Sequence, residues 1–298
     1  MSRLLQALAA ATVAALLALP AHADRFSFMA LGDTPYTLPR DDSAFQRLIA
    51  RTNRLQPAFT VHLGDIKSGD THCTDEVFTR AIELFSLFEQ PLVYTPGDNE
   101  WTDCHRANNG GYDPVERLAA LRRRMYPVPS RSLGSTPMPL RTQANEPQYG
   151  KFVENARWEK AGVVFATLHI VGSNNNLQRD QAAVNEYIER NAANLAWIDA
   201  AFAHAREINA HGVVFFFQAD LAYEKENDVD ARSGFNDTLN LFKRQSIAFG
   251  KPVLLVGGDR HRLIIDQPLI GPGRQRIINV TRVMVHGDND VHGTLIHV

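Results

Sequence analysis

An α/β fold, a largely parallel sheet covered by helices, is what this sequence predicts. Three observations predict it. Short apolar strands alternate with amphipathic helices along most of the chain. Four of the strands run into Gly-Asp pairs: Gly32-Asp33, Gly64-Asp65, Gly97-Asp98 and Gly258-Asp259-Arg260-His261. No internal repeat, low-complexity segment or linker divides the sequence, so one domain over 24–298 is the simplest organisation.

The elements follow in order. Residues 26–31 read as a strand, and 43–55 as a helix with Phe45, Leu48, Ile49 and Leu55 on one face. Residues 59–63 are a strand, 75–88 an amphipathic helix, 92–95 a strand, and 114–125 a helix opened by Pro114. A Pro-, Ser- and Thr-rich stretch over 127–147 is expected as a surface excursion near the site. Residues 158–160 lead through a turn at Gly162 into a strand over 163–170. The run Asn174-Asn175-Asn176 marks a polar loop, either a turn or a pocket lining. A long helix spans 182–208, a wholly apolar strand 213–217, a helix 235–249 and a strand 253–256. Phe215, Phe216 and Phe217 read as core. The tail is β-rich over 263–265, 277–285 and 294–298.

Charge and composition narrow the partners. The chain has 298 residues and a formal net charge of −2, which gives no electrostatic reason to expect nucleic acid or an anionic membrane. The compact basic run Arg122-Arg123-Arg124 closes a helix, where cations suit the dipole. Residues 1–23 read as a secretory signal: Arg3, an apolar run, then Ala21-His22-Ala23 before a cleavage at Asp24. The apolar run is shorter than the roughly 20 residues that a span requires. A periplasmic or secreted protein without a membrane span is therefore expected. In such an oxidising compartment Cys73 and Cys104, in loops leaving neighbouring strand ends, are expected to pair; thiolate metal ligation is the alternative.

The Gly-Asp pairs carry the chemistry. Glycine permits a sharp turn at a strand end, and a parallel sheet gathers those ends along one edge. Carboxylates gathered there repel unless a cation lies between them, so the pattern points to a metal site and to hydrolysis. Taken singly, each Asp is as well explained as a cap of the following turn or helix. His62 inside a strand reads as a packed core histidine, and His169 as structural.

The order of these motifs resembles the calcineurin-like metallophosphoesterases over nearly the whole chain from Phe26. The resemblance implies an αββα sandwich and divalent metal ions, one or two. Asp33 and Asp65 match that family's first two aspartates and His261 its last histidine. Pro35, followed by Tyr36, stands where a histidine is usual. Asp98 replaces the metal-binding Asn, Asn99 the catalytic His, Gln218 the lone His, and Asp259 the first His of the last motif. The implied metal ligands are Asp33, Asp65, Asp98, Gln218, Asp259 and His261. An oxygen-rich set favours Mg²⁺, Mn²⁺ or Ca²⁺ over Zn²⁺. Asn99 is the candidate for orienting a phosphoryl oxygen. His105 is either a substitute general acid or an exposed loop histidine. Tyr36 and Arg260 are candidates for substrate binding, Arg260 having Asp266 as its alternative partner. The expected function is an exported metal-dependent phosphoesterase acting on a small phosphate ester. The alternative is a catalytically degenerate member of the fold that binds a metal or ligand.

Overall fold

Two β-sheets stack face to face, each with helices on its outer surface. The computed structural model describes residues 25–36, 40–221 and 233–298, so the expected signal segment lies outside the described residues. In chain order the elements are β1 (Ser27–Leu31), α1 (Asp42–Leu55), β2 (Thr60–His62), α2 (Asp75–Phe85), β3 (Leu92–Tyr94) and α3 (Pro114–Met125). They continue with β4 (Arg141–Thr142), β5 (Ala156–Lys160), β6 (Val163–Thr167), α4 (Gln181–Glu207), β7 (Gly212–Phe216) and α5 (Asn236–Phe249). The chain ends with β8 (Val253–Gly257), β9 (Ile264–Asp266), β10 (Val280–Met284) and β11 (Thr294–His297). No helix among the described residues is long and apolar enough to cross a membrane.

The smaller sheet has the order β11-β1-β2-β3 and the larger one β4-β5-β6-β7-β8-β10-β9. Strands β1, β2 and β3 run parallel, as do β6, β7, β8 and β10; antiparallel strands close the edges. The expected αββα sandwich with mixed, largely parallel sheets is the architecture found.

Strand alternation explains how the layers stick. Phe216 faces the space between the sheets, with Phe28, Phe59, Trp158 and Phe165, whereas Phe215 and Phe217 face α4 and α5. Phe28 stacks on Phe59 at 5.2 Å and Trp158 on Phe165 at 5.5 Å between ring centroids. Truncating one of these buried rings to Ala would cost about 3–5 kcal/mol. The outer face of the smaller sheet buries Leu31, Phe45, Phe78, Phe85 and Leu121 beneath α1, α2 and α3. Helix α3 starts where Pro114 and its cap predict, with the Asp113 carboxylate accepting from Val115 N at 2.8 Å.

One expectation is corrected. The 127–147 stretch pairs Leu133 with Leu92, the first residue of β3. It therefore docks at the end of β3 opposite Asp98, because Leu133 supplies the backbone partner that Leu92 lacks on that edge.

Candidate functional site

The C-terminal ends of β1, β2, β3, β7 and β8 meet along one edge and deliver Asp33, Asp65, Asp98, Gln218 and Asp259 to a common centre. Close approach of backbone to carboxylate makes this possible. Gly64 has a φ of +86°, and a Cβ on Gly97 would overlap the Asp65 carboxylate, as one on Gly258 would overlap that of Asp33. Asp33, Asp65, Asp259 and His261 themselves sit at φ of 52°, 55°, 69° and 57°, a left-handed conformation that costs non-glycine residues energy and clusters at functional sites.

Two hydrogen-bond donors knit the acidic groups together. The Tyr36 hydroxyl donates to Asp65 Oδ2 at 2.9 Å and lies 3.4 Å from Asp33 Oδ1 and 3.0 Å from His261 Nε2. The Gln218 amide nitrogen lies 3.1 Å from Asp259 Oδ1, 3.3 Å from Asp65 Oδ2 and 3.4 Å from Asp98 Oδ1. Asp33 accepts from the backbone N–H of Asp259 with both oxygens at 3.0 Å. Ser173 Oγ lies 2.7 Å from Asp98 Oδ2 and 2.8 Å from Asp103 Oδ1, so its single proton serves only one of them.

Burial and mutual repulsion push Asp65, Asp98 and Asp259 toward the neutral form. Burial, followed by the nearby Asp98, holds Asp65 well above the usual carboxylate range; burial and Asp103 do the same to Asp98. Burial and Asp33 raise Asp259 to about 6. The Tyr36 phenol is pushed well above 10 by burial and then by Asp65. His261 moves upward because its ring faces Asp33.

The sequence-level candidates divide accordingly. Asp33, Asp65, Asp98, Gln218, Asp259 and His261 are brought together, and Tyr36 lies inside the group rather than at its rim. Asn99 joins them through Asp65: its Nδ2 donates to Asp65 Oδ2 at 2.8 Å and to the Tyr36 oxygen at 3.3 Å. Both amide hydrogens are thereby used, so Asn99 positions Asp65 rather than presenting a donor to a phosphoryl oxygen. His105 is exposed, with Nδ1 2.8 Å from Thr102 O, and no hydrogen bond or ion pair joins it to these acids among the described residues. Arg260 turns to Asp220, with Nε 3.8 Å from Oδ2, while Arg282 holds both Asp266, at 2.7 and 2.9 Å, and Asp220, at 2.5 Å. Cys73 and Cys104 form the expected disulfide, their Cα atoms 5.7 Å apart, which ties the loop after Asp65 to the loop after Asp98. His62 and His169 are buried and structural as expected.

Four residues escaped sequence reasoning. Glu100 Oε1 accepts from Tyr94 OH at 2.6 Å, Gly97 N at 2.7 Å and Asp65 N at 3.1 Å, clamping two carboxylate-bearing loops together. Gly172 N donates to Gln218 Oε1 at 2.6 Å. Ser173 bridges Asp98 and Asp103. Arg106, with 45% of its side chain exposed, is held by Asp103 at 2.7 Å and Ser173 at 3.4 Å. The adjacency of Glu100 to Gly97-Asp98-Asn99 was the only local signal; the others depend on contacts far apart in sequence.

The fit to metal ions is uneven. No group of three or more His, Cys, Asp or Glu side chains forms a cation cage among the described residues; the acids converge on Tyr36 and Gln218 instead. At the first of these points the bridging atom is a phenol oxygen, which has lone pairs and can itself ligate a hard cation alongside Asp33, Asp65 and His261. At the second it is an amide nitrogen, which cannot. By donor chemistry alone, the first set of atoms could ligate a hard cation and the second could not.

Neither a family model nor a curated protein matches the sequence. Solved structures do match the fold. A dimetal phosphatase from Danio rerio superposes with a TM-score of 0.53 at 11% identity, over 88% of this chain and 87% of that one. GAP50, the anchor in the inner membrane complex of Plasmodium, gives 0.53 at 9% identity, over 92% and 81%. A purple acid phosphatase from yellow lupin, Lupinus luteus, gives 0.47 at 10% identity, over 88% and 44%. The chain is structurally similar to calcineurin-like metallophosphoesterases.

Proposed function

We propose that this protein is a metal-dependent phosphoric ester hydrolase working at the strand-end carboxylates. The supporting observation is the unbalanced charge. Asp33, Asp65, Asp98, Glu100, Asp103 and Asp259 crowd one buried region in which Lys67, Arg106 and His261 are the nearby bases. Protons relieve that repulsion in the metal-free chain; a divalent ion would relieve it at neutral pH. Mg²⁺, Mn²⁺ or Ca²⁺ suits the oxygen donors better than Zn²⁺.

Asp33, Asp65, Tyr36 and His261 would hold the ion. When bound, it would polarise a phosphoryl oxygen and acidify a coordinated water. Asn99 fixes the Asp65 carboxylate through its backbone and side-chain N–H groups, at 3.1 and 2.8 Å. Arg106, half-exposed beside Ser173, offers its guanidinium to the phosphoryl oxygens. His261, the one histidine in the group among the described residues, is committed to Tyr36 and Asp33, so no histidine of the group is left to protonate the leaving group. Esters with good leaving groups, aryl phosphates or diesters, are the substrates that chemistry favours. Export to the periplasm or beyond is part of the proposal, supported by the N-terminal sequence pattern and the disulfide.

A second function has its own support. Neutral donors already bridge the acids, as they would in a protein that kept the fold for binding. One of the two structural neighbours with a TM-score of 0.53 is described as an anchor and the other as a phosphatase. Metal content by mass spectrometry, together with aryl phosphate mono- and diester hydrolysis in Mg²⁺, Mn²⁺, Ca²⁺ or Zn²⁺, separates the two. Bound ion with turnover lost in Asp65→Asn supports the hydrolase. Bound ion without turnover on any ester favours binding, and no ion under any loading removes the hydrolase.

A further inference from the structure

We propose that Gln218 permanently occupies one of the two cation positions, so that the protein takes a single divalent ion per chain. The inference rests on the metal-dependent function above and concerns how many ions the acids hold.

The oxygens available for a second ion are Asp65 Oδ2, Asp98 Oδ1 and Asp259 Oδ1. The Gln218 amide nitrogen already stands 3.3, 3.4 and 3.1 Å from those three atoms. An amide nitrogen carries two hydrogens and no available lone pair, so it attracts carboxylates and repels cations. A cation bound to the same three oxygens at about 2.0–2.6 Å would press directly on those hydrogens.

Turning the amide over would bring its oxygen to the acids, but the fold prevents it. Gly172 N–H donates to Gln218 Oε1 at 2.6 Å, and the flipped amide would set one N–H against another in a buried site. The Gln218 side chain is fully buried. Its backbone is pinned as well: its N–H donates to Ile170 O at 3.1 Å, and its carbonyl accepts from Gly258 N–H at 2.9 Å. Gly172 cannot be pushed aside cheaply, because it packs on the acids themselves; a Cβ there would fall 2.7 Å from Asp98 Oδ2 and 2.9 Å from Asp259 Oδ1. The lock is therefore part of the sandwich: the chain following β6 supplies the N–H and the chain following β7 supplies the amide.

At the Tyr36 position the outcome differs. The bridging atom there is an oxygen with lone pairs, its proton is the only hydrogen it contributes, and with that proton turned aside the oxygen can face a cation as a ligand. Asp98 and Asp259 thus become hydrogen-bond acceptors for Gln218, while Asp33, Asp65, Tyr36 and His261 remain for the ion.

The test counts ions. The protein and its Gln218→His, Gln218→His/Asp98→Ala and Asp98→Ala variants are dialysed against Mn²⁺, then analysed by mass spectrometry and by electron paramagnetic resonance. Circular dichroism confirms that each is folded. One uncoupled ion in the wild type and in Asp98→Ala, two exchange-coupled ions in Gln218→His, and a return to one in the double variant are expected. Two ions in the wild type overturn this inference and leave the metal-dependent function standing. One ion in folded Gln218→His also overturns it. No ion in any of the four overturns the metal-dependent function itself.

Discussion

Lowering the pH should loosen the protein through His62. His62 is fully buried in β2, against Phe85, Tyr94 and Phe45 at ring-centroid distances of 4.8, 6.0 and 6.2 Å. Its Nε2–H donates to Thr34 O at 2.8 Å, and its Nδ1 accepts from Gly64 N at 3.2 Å. Those two contacts join the turn after Asp33 to the turn before Asp65, and they require the neutral ring. Burial lowers its pKa from 6.5 to about 4. The unfolded chain therefore binds the proton first. Stability from this group is complete above about pH 6.5 and is lost as pH falls toward 4. At about 1.36 kcal/mol per pH unit the loss is roughly 3 kcal/mol. His62→Gln keeps a donor and an acceptor but does not titrate. Urea unfolding of both chains in chelator at pH 7 and pH 4.5 should show the wild type losing about 2–3 kcal/mol more than the variant. Equal losses would refute the assignment of a neutral, load-sharing His62.

Three further outcomes are expected. Glu100→Ala orphans the Tyr94 hydroxyl and two backbone N–H groups, which should cost about 3–5 kcal/mol in urea unfolding; Glu100→Gln, which keeps the accepting oxygen, should cost less than half of that. Cys73→Ser/Cys104→Ser opens a cross-link over a sequence separation of 31 residues and should lower stability by about 3–4 kcal/mol, measured against the oxidised wild type. Arg106→Ala should raise KM for an aryl phosphate about tenfold and also lower the melting temperature, because it removes a partner of buried Asp103, whereas Arg260→Ala should leave KM within about twofold and the melting temperature little changed, because buried Asp220 keeps Arg282 at 2.5 Å.

How far the sequence reaches depends on the range of the interaction that decides each feature. Strand and helix positions were legible because they are set by local periodicity: the alternation around Phe215, Phe216 and Phe217 already implies one ring facing the opposite sheet and two facing helices. The acids were legible because a glycine before an aspartate at a strand end is itself a local event. The orientation of Gln218 was not. It is fixed by a Gly172 N–H 46 residues earlier, in a segment whose Asn run reads as a turn or a pocket lining. Tyr36 reads as a substrate-binding candidate because nothing around it shows that its hydroxyl reaches Asp65, 29 residues on, and His261, 225 residues on. Arg260 gained a role from its place between Asp259 and His261, yet Asp220, across β8 from it in the chain's order, holds it away from that role.

These misses share a direction, and it bears on the chemistry. At two of the positions where a histidine of the metallophosphoesterase pattern is replaced, the structure puts a neutral donor against a carboxylate: Asn99 against Asp65, and Gln218 against Asp65, Asp98 and Asp259. A replacement that left the acids unpaired would cost several kcal/mol per buried charge, so substitutions at the ligands and new donors near them are expected to accompany one another. Tyr36 follows the same logic, since Pro35 stands where a ligand is usual and the next residue supplies the hydroxyl. The difference is that a phenol oxygen can face a cation as a ligand and an amide nitrogen cannot. Whether the site still takes a metal therefore rests on the Tyr36 side, and Tyr36→Phe should weaken Mn²⁺ binding at least tenfold by calorimetry while leaving the hydrogen bonds of Gln218 untouched. Unchanged Mn²⁺ affinity in Tyr36→Phe would place the ion away from that oxygen and dissolve the distinction between the two positions.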